Sequence, residues 1–297
     1  MKSAHSQPRS AGEADVHTSA LPSTASAEAL RIRPGDGGEL ALDPTSAGWR
    51  YLSFRIIRLT SEGAVPIGRP GHEAVIVNLV GDDVRLSIGQ DDERLVGGRG
   101  SVFDRPPSAV YLPADRPAVA RVERGTRPAS TTLAIAEAPS RPDVAARLQP
   151  ISIEPVDVRL ETRGSGHATR QIRHLVAPTF PADRLLLVEV VTPAGNWSSW
   201  PPHKHDVDAM PGEAVLEEIY YYRFRRPEAW AIQRLYRRPE RGLPPRDALW
   251  AVRDGEVVLV TDGYHPFSAT TADDAFYLNA LAGDRRTMAC SFDPDFA

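Results

Sequence analysis

The sequence predicts an all-β protein made of two similar halves, each an antiparallel β-sandwich or small barrel. Short runs rich in β-branched and aromatic residues recur about every 8 to 12 residues, with turn signals between them. Twenty-seven prolines and 22 glycines punctuate those runs. Long helical periodicity of the apolar residues is absent.

Residues 1–29 are rich in Ala and Ser and contain no aromatic. Such a segment cannot bury enough apolar surface to offset its ordering entropy, so a disordered tail is expected, with order beginning near Leu30. Tyr51–Leu59 is a strand with neither face cleanly polar, as in a sandwich covered on both sides. Ala74–Val80 is a β-branched run stopped by the turn cluster Gly81-Asp82-Asp83. Val84–Ile88, Ser101–Phe103, Ala109–Leu112, Ala118–Val122 and Thr131–Ala136 are further strands. Pro139, Pro142, Pro150 and Pro155 mark a seam, with a short helix at Val144–Leu148. Beyond it, Leu185–Val191 reads as a buried strand and Glu218–Phe224 as an alternating one. Leu249–Val252 and Val257–Val260 flank Asp254-Gly255, a strong hairpin turn. The expected units are the tail, a first lobe over 30–140 and a second lobe over 141–297.

Thirty-five Lys and Arg against 39 Asp and Glu give a formal charge of -4. That balance offers no electrostatic footprint for nucleic acid or an anionic membrane. The apolar runs fall short of the roughly 20 residues a membrane span needs, and the N-terminal segment has no apolar h-region, so a cytoplasmic protein is expected. Cys290 is the single cysteine, which excludes an internal disulfide and suits a reducing compartment. It reads as a small buried apolar residue.

The segment Gly195–Asp206 carries the densest chemistry. His203 and His205 are two apart, so on an extended strand both imidazoles leave one face. Two neutral ring nitrogens placed so can reach one divalent metal at roughly 2.0–2.1 Å. Pro201-Pro202 stiffens the approach. Glu218 opens a strand expected to return across the same sheet, and His265 follows the turn Asp262-Gly263. Two histidines, a carboxylate and a third histidine from several strands suit a first-row metal. The bland reading makes Glu218 a solvated strand-end acid and His265 a turn residue bonded to backbone. His72, His167 and His174 lack any partner spacing and read as structural.

His203-x-His205, Glu218 and the stretch from Gly255 through Gly263 to His265 resemble the two halves of the cupin metal motif. They depart from it in spacing, because Val207 to Glu217 intervene before the glutamate and His265 comes one residue early. A narrower resemblance is carried by Gly195–Asp206, Leu216–Tyr222, Gln233-Arg-x-Tyr236, Gly263-Tyr-His-Pro266 and Tyr277-Leu-Asn-x-x-Ala-Gly283. Gly48-Trp49, Gly97-Gly98-Arg99-x-x-Val-Phe103 and Tyr111-x-Pro113 extend it into the first half. Together these closely resemble the 5-deoxy-glucuronate isomerase family of inositol breakdown, over about residues 30 to 297. The related 5-keto-4-deoxyuronate isomerases favour Glu218 over Glu217 as ligand.

The resemblance implies a two-lobed cupin (bicupin) with His203, His205, Glu218 and His265 holding a divalent metal in the second lobe and a first lobe without metal. Zn²⁺ suits the work, and Mn²⁺ or Fe²⁺ also fit. It implies an aldose–ketose isomerisation of 5-deoxy-D-glucuronate to 2-deoxy-5-keto-D-gluconate, by an enediol or a hydride shift. A homo-oligomer belongs to the same expectation. The substrate carboxylate calls for a cation; Arg234 and Lys204 are nearest in sequence, with Gln233 beside them and Arg170 a distant third. Alternation turns Lys204 away from the two histidines and Glu217 away from Glu218. Tyr220, Tyr222 and Tyr277 are the candidates for proton transfer. A cupin dioxygenase using Fe²⁺ and a non-enzymatic sugar-binding cupin are the competing functions.

Overall fold

The computed structural model describes residues 26–60, 63–123, 130–239 and 245–297. Most of the expected tail lies outside the described residues. Order is already present before Leu30, where Glu28–Leu30 form a 3-10 turn that buries Leu30.

All the sheet pairings are antiparallel, and the two large sheets repeat one plan. In the first, the order is Ile151–Ile153, Ala109–Leu112, His72–Val80, Thr131–Pro139, Ser53–Leu59 and Leu40–Leu42. In the second, Arg31–Ile32, Val257–Val260, Glu217–Phe224, Ala275–Ala282, Leu185–Thr192 and Arg170–Val176 follow the same sequence, with Arg159–Arg163 added at the edge. Each large sheet faces a four-stranded partner. These are ordered Ala64–Ile67, Ala118–Val122, Val84–Ile88, Asp92–Val96, and Trp197–Ser198, Phe267–Ala269, Trp230–Arg237, Arg246–Arg253. The outermost strands are exchanged. Arg31–Ile32 pairs with Val257 and Val258, whereas Ile151–Ile153 pairs with Ala109–Tyr111. Each exchange covers a sheet edge that would otherwise present unpaired backbone groups.

Residue chemistry explains why these runs are strands. Every residue of Ala275–Ala282 is buried, since this strand is central to its sheet and covered on both faces. Arg246–Arg253, at an edge, alternates buried and exposed instead. Two local expectations need correction. Ser101–Phe103 is a turn rather than a strand, with Asp104 N donating to Ser101 O. Val102 is buried and Phe103 partly so, packing edge-on to Phe276 at 6.2 Å. The short helix begins earlier, at Pro142–Ala145, because proline is pre-organised for the first helical position.

The register aligns the halves residue by residue. Glu73 pairs with Ala138 as Glu217 pairs with Ala282. By the same offset Ala74 stands where Glu218 stands, Ile76 where Tyr220 stands, and Leu133 where Tyr277 stands. The interior of the first half is therefore aliphatic, with Ile67, Ala74, Ile76, Leu86, Val110, Leu133 and Ile135 in one cluster. The second half holds its polar residues in the equivalent space. No helix among the described residues is long and apolar enough to cross a membrane.

Candidate metal centre

The site begins at a short pairing. His203–Lys204 is the only regular strand in its segment, and it pairs with Ser291–Phe292 near the C-terminus. The expected strand through His205 does not form. His205 is aimed by a two-way bridge instead: Leu216 N donates to His205 O at 3.1 Å, and His205 Nδ1 meets Leu216 O at 3.0 Å. This bridge absorbs the long spacing before Glu218. The intervening loop folds on itself around Glu213, whose Oε1 accepts Asp206 N at 2.8 Å and Val207 N at 2.9 Å.

Glu218 comes from the strand Glu217–Phe224, and His265 from the loop after Gly263. Gly263 has φ +84°, and a Cβ there would lie 2.4 Å from Tyr236 O, so glycine is required for the turn to pass. Its N–H donates to Asp206 Oδ2 at 2.8 Å, which ties the two histidine-bearing loops together.

His205 Nε2 lies 2.8 Å from Glu218 Oε2, and His265 Nε2 lies 3.3 Å from the same oxygen. One ligand atom from each of these three buried residues falls within 4.8 Å of the others. The His203 ring completes the cluster, its centroid 4.6 Å from that of His265 and 6.4 Å from that of His205. His265 Nδ1 faces Gly263 O at 3.1 Å, so in both His205 and His265 a carbonyl takes Nδ1–H and leaves Nε2 for the centre. Burial, with the neighbouring His205, lowers His203 to about 3. Burial, with His203 and His205 beside it, also holds His265 well below the usual imidazole range. Burial opposes charge on His205 as well, but the Glu218 carboxylate outweighs it and raises that group.

These residues fit a divalent metal. His265 Nε2 is buried without a hydrogen-bond partner among the described residues, an expensive state for a polar atom unless something coordinates it. Neutral imidazoles with one carboxylate form a donor set suited to first-row ions. The cluster opens on a cavity of about 310 Å³ lined by Arg163, Arg170, Trp200, Cys290 and Phe292 among others. Cys290 is thus a half-buried wall of the cavity rather than a core residue.

The three tyrosines occupy different depths. Tyr220 lies nearest the cluster, its ring centroid 5.9 Å from His265, and its Oη is 2.7 Å from Ser199 Oγ. Ser199 itself holds φ +50°, an uncommon backbone for a residue with a side chain. Tyr277 packs on Tyr220 at 4.7 Å and donates to Ser198 Oγ at 3.0 Å. Tyr222 donates to Gln233 Oε1 at 2.9 Å. Burial pushes Tyr277 up to about 12 and Tyr220 and Tyr222 well above the usual phenol range.

The cations and amide chosen for the substrate lie off the cavity. Lys204 Nζ is taken by Asp206 at 2.8 Å and Glu213 at 3.1 Å. Arg234 forms a two-bond pair with Asp247, at 2.8 Å each, in an exposed position. Gln233 Nε2 donates to His265 O at 3.0 Å and Pro266 O at 3.1 Å, so it steadies the His265 loop from behind. The cavity cations are Arg163 and Arg170. Arg163 escaped the sequence reading because its only local signal is the charge-rich strand Arg159–Arg163. Phe292 and Cys290 reach the site through a pairing across nearly 90 residues that no spacing reveals.

The KduI/IolB family model matches residues 30–297. A 5-deoxy-glucuronate isomerase of Geobacillus kaustophilus is 38% identical over 261 residues, covering 88% of this chain and 90% of that protein. The crystal structure of an IolB-like protein from Salmonella typhimurium LT2 is similar with a TM-score of 0.82 at 31% identity, over 90% of this chain and 98% of that one. Oxalate decarboxylase of Lactobacillus farciminis shares the fold alone, with a TM-score of 0.59 at 9% identity over 89% and 88%. The architecture is that of a two-lobed cupin.

Proposed function

The chain belongs to the KduI/IolB family, and from that membership we propose that it is a metal-dependent isomerase converting 5-deoxy-D-glucuronate into 2-deoxy-5-keto-D-gluconate in myo-inositol breakdown. The observation that carries the metal centre is the meeting of His205, Glu218 and His265 within 4.8 Å, beside His203 and against the cavity.

His203, His205, Glu218 and His265 would hold the ion, with Zn²⁺ as the preferred occupant because the reaction needs no redox change. When bound, it supplies Lewis acidity toward the carbonyl and neighbouring hydroxyl oxygens of the sugar. In the net change one hydrogen leaves C2 for C1 and another leaves O2 for O1, so no external oxidant is consumed. Tyr220, buried behind the cavity wall with its ring 5.9 Å from His265, is the tyrosine assigned to hold a proton at the reacting end. Burial keeps its phenol neutral, so it acts as a donor toward an oxygen gaining charge, with Ser199 Oγ sharing its hydrogen. Tyr277 and Ser198 support that pair from below. Tyr222 acts through Gln233 on the His265 loop rather than on substrate. Two lobes divided near residue 140, a cytoplasmic setting and a homo-oligomeric assembly belong to the same reading.

The test is metal content by mass spectrometry together with turnover of 5-deoxy-glucuronate, on wild type and His203→Ala. About one metal per chain and turnover, both lost in the variant, is the expected result. Oxygen uptake without isomerisation would transfer the site to dioxygenase chemistry. Sugar binding without any turnover would reduce it to a binding protein.

A further inference from the structure

Three arginines are deeply buried among the described residues: Arg99, Arg170 and Arg237. Arg99 pairs with Glu189 and Arg237 with Asp262. Arg170 pairs with no carboxylate among the described residues. Its Nη1 donates to Ala168 O at 2.9 Å and to Trp200 O at 3.1 Å, two neutral acceptors. A guanidinium that is 7% exposed without a counter-charge is a costly arrangement unless an anion arrives.

Its surroundings sharpen the need. Arg163 stands directly opposite Arg170 across the antiparallel pair. Like charges facing each other on neighbouring strands repel. Glu161 offsets Arg163, bonding it at 2.6 and 3.1 Å, but leaves Arg170 unmatched. The chain also makes room for the guanidinium. Gly164 has φ +84°, and a Cβ there would lie 2.1 Å from Ala168 O and 2.9 Å from Arg170 Nη1. Both arginines and Gly164 line the cavity that holds His203, His205 and Glu218. At about 310 Å³ that cavity is of a size for one small ligand.

We propose that Arg170, with Arg163 beside it, is an anion clamp that takes the carboxylate of the sugar acid at one end of the cavity while the His/Glu cluster meets the carbonyl end. The clamp deepens the isomerase reading and rests on it for the identity of the acid. It sets specificity: a bidentate guanidinium binds a planar carboxylate and gains much less from the CH₂OH group of a neutral sugar, a single uncharged acceptor.

The test is calorimetric titration of the metal-loaded protein with D-glucuronate and with D-glucose, which lacks the carboxylate. Wild type is expected to favour the acid by roughly 10- to 100-fold, and Arg170→Gln to erase that preference with glucose binding and metal content unchanged. Arg163→Gln, on the half-exposed strand, is expected to reduce the preference by a smaller factor and serves if Arg170→Gln does not fold. An acid preference intact in the folded variants places the carboxylate elsewhere and overturns the clamp, as does a wild type without that preference. Because binding is read without turnover, a clamp that behaves as expected in a protein unable to isomerise 5-deoxy-glucuronate would overturn the proposed reaction alone.

Discussion

Glu73 and Glu217 occupy matching positions in the two halves and grip each other's half in opposite directions. Glu217 accepts the N–H groups of Arg50, Tyr51 and Leu52 at 2.7, 3.0 and 2.8 Å. Glu73 accepts those of Asp183, Arg184 and Leu185 at 2.7, 2.6 and 2.8 Å. Each carboxylate thereby fixes the entry to a strand of the other half, Ser53–Leu59 or Leu185–Thr192. On the strand Glu217–Phe224 the next residue, Glu218, turns the other way into the His/Glu cluster, so the inter-half grip and the proposed ligand share one backbone.

Removing either grip destabilises the whole body. Glu217→Gln leaves an NH₂ facing backbone donors and is expected to cost about 2 to 4 kcal/mol, with Glu73→Gln similar. Urea unfolding of the two single variants and the double variant measures this. The double variant losing less than the sum would show that the grips are coupled across one interface.

Lys204→Met removes a buried ammonium from Asp206 and Glu213 and is expected to cost about 3 to 5 kcal/mol through the uncompensated carboxylates. The KM for the sugar acid is expected to hold in protein that remains folded, since Lys204 lies off the cavity. Arg234→Gln breaks an exposed pair and is expected to change stability by no more than about 1 kcal/mol. Thermal unfolding and steady-state kinetics check both; a large KM rise in either would restore that cation as a substrate contact.

Tyr220→Phe and Tyr222→Phe are expected to separate chemistry from support. The first deletes the hydroxyl that meets Ser199 Oγ and is expected to lower kcat on the order of 10²-fold at unchanged metal content. The second strands Gln233 Oε1 in the core and is expected to lower stability by about 1 to 3 kcal/mol, with a smaller effect on kcat. Paired kcat and melting measurements decide; equal kcat losses would contradict the assignment.

Gly263→Ala forces a methyl group against Tyr236 O and displaces the His265 loop. It is expected to cost at least about 1 to 3 kcal/mol and to weaken metal retention. Wild type is expected to melt lower after chelation, because an ion that binds only the folded state stabilises it by mass action. That chelator-dependent shift is expected to shrink or vanish in Gly263→Ala, as read by scanning calorimetry with and without chelator.

Much of the site was legible locally. His203 and His205 are marked by their spacing and His265 by the turn before it, the family resemblance favours Glu218 over Glu217, and the structure gathers the four. The alternation that turns Glu217 from Glu218 and Lys204 from the histidines is also visible in the structure. The expected reason for His205 was incomplete, because Leu216 O aims its ring where no strand continues. Arg234 stands nearer the site in sequence than Arg170, yet adjacent strand residues face opposite sides and Asp247 lies within reach of Arg234.

By itself the sequence determined the all-β class, most of the strands it marked, the candidate ligand types and the resemblance to an isomerase family. Those rest on short-range information: side-chain period, β-branching, turn glycines and donor chemistry. Only the tertiary structure decided that Arg170 and Arg163 share a cavity with His203, His205 and Glu218, that the C-terminal segment walls it, and that the halves exchange edge strands and carboxylate grips. The C-terminal wall, the carboxylate grips and the Arg31 edge depend on partners nearly 90 to 230 residues apart, as for His203 with Phe292 and Arg31 with Val258. Such pairings are chosen when the whole chain buries its apolar surface and satisfies its backbone, and no local window carries that information.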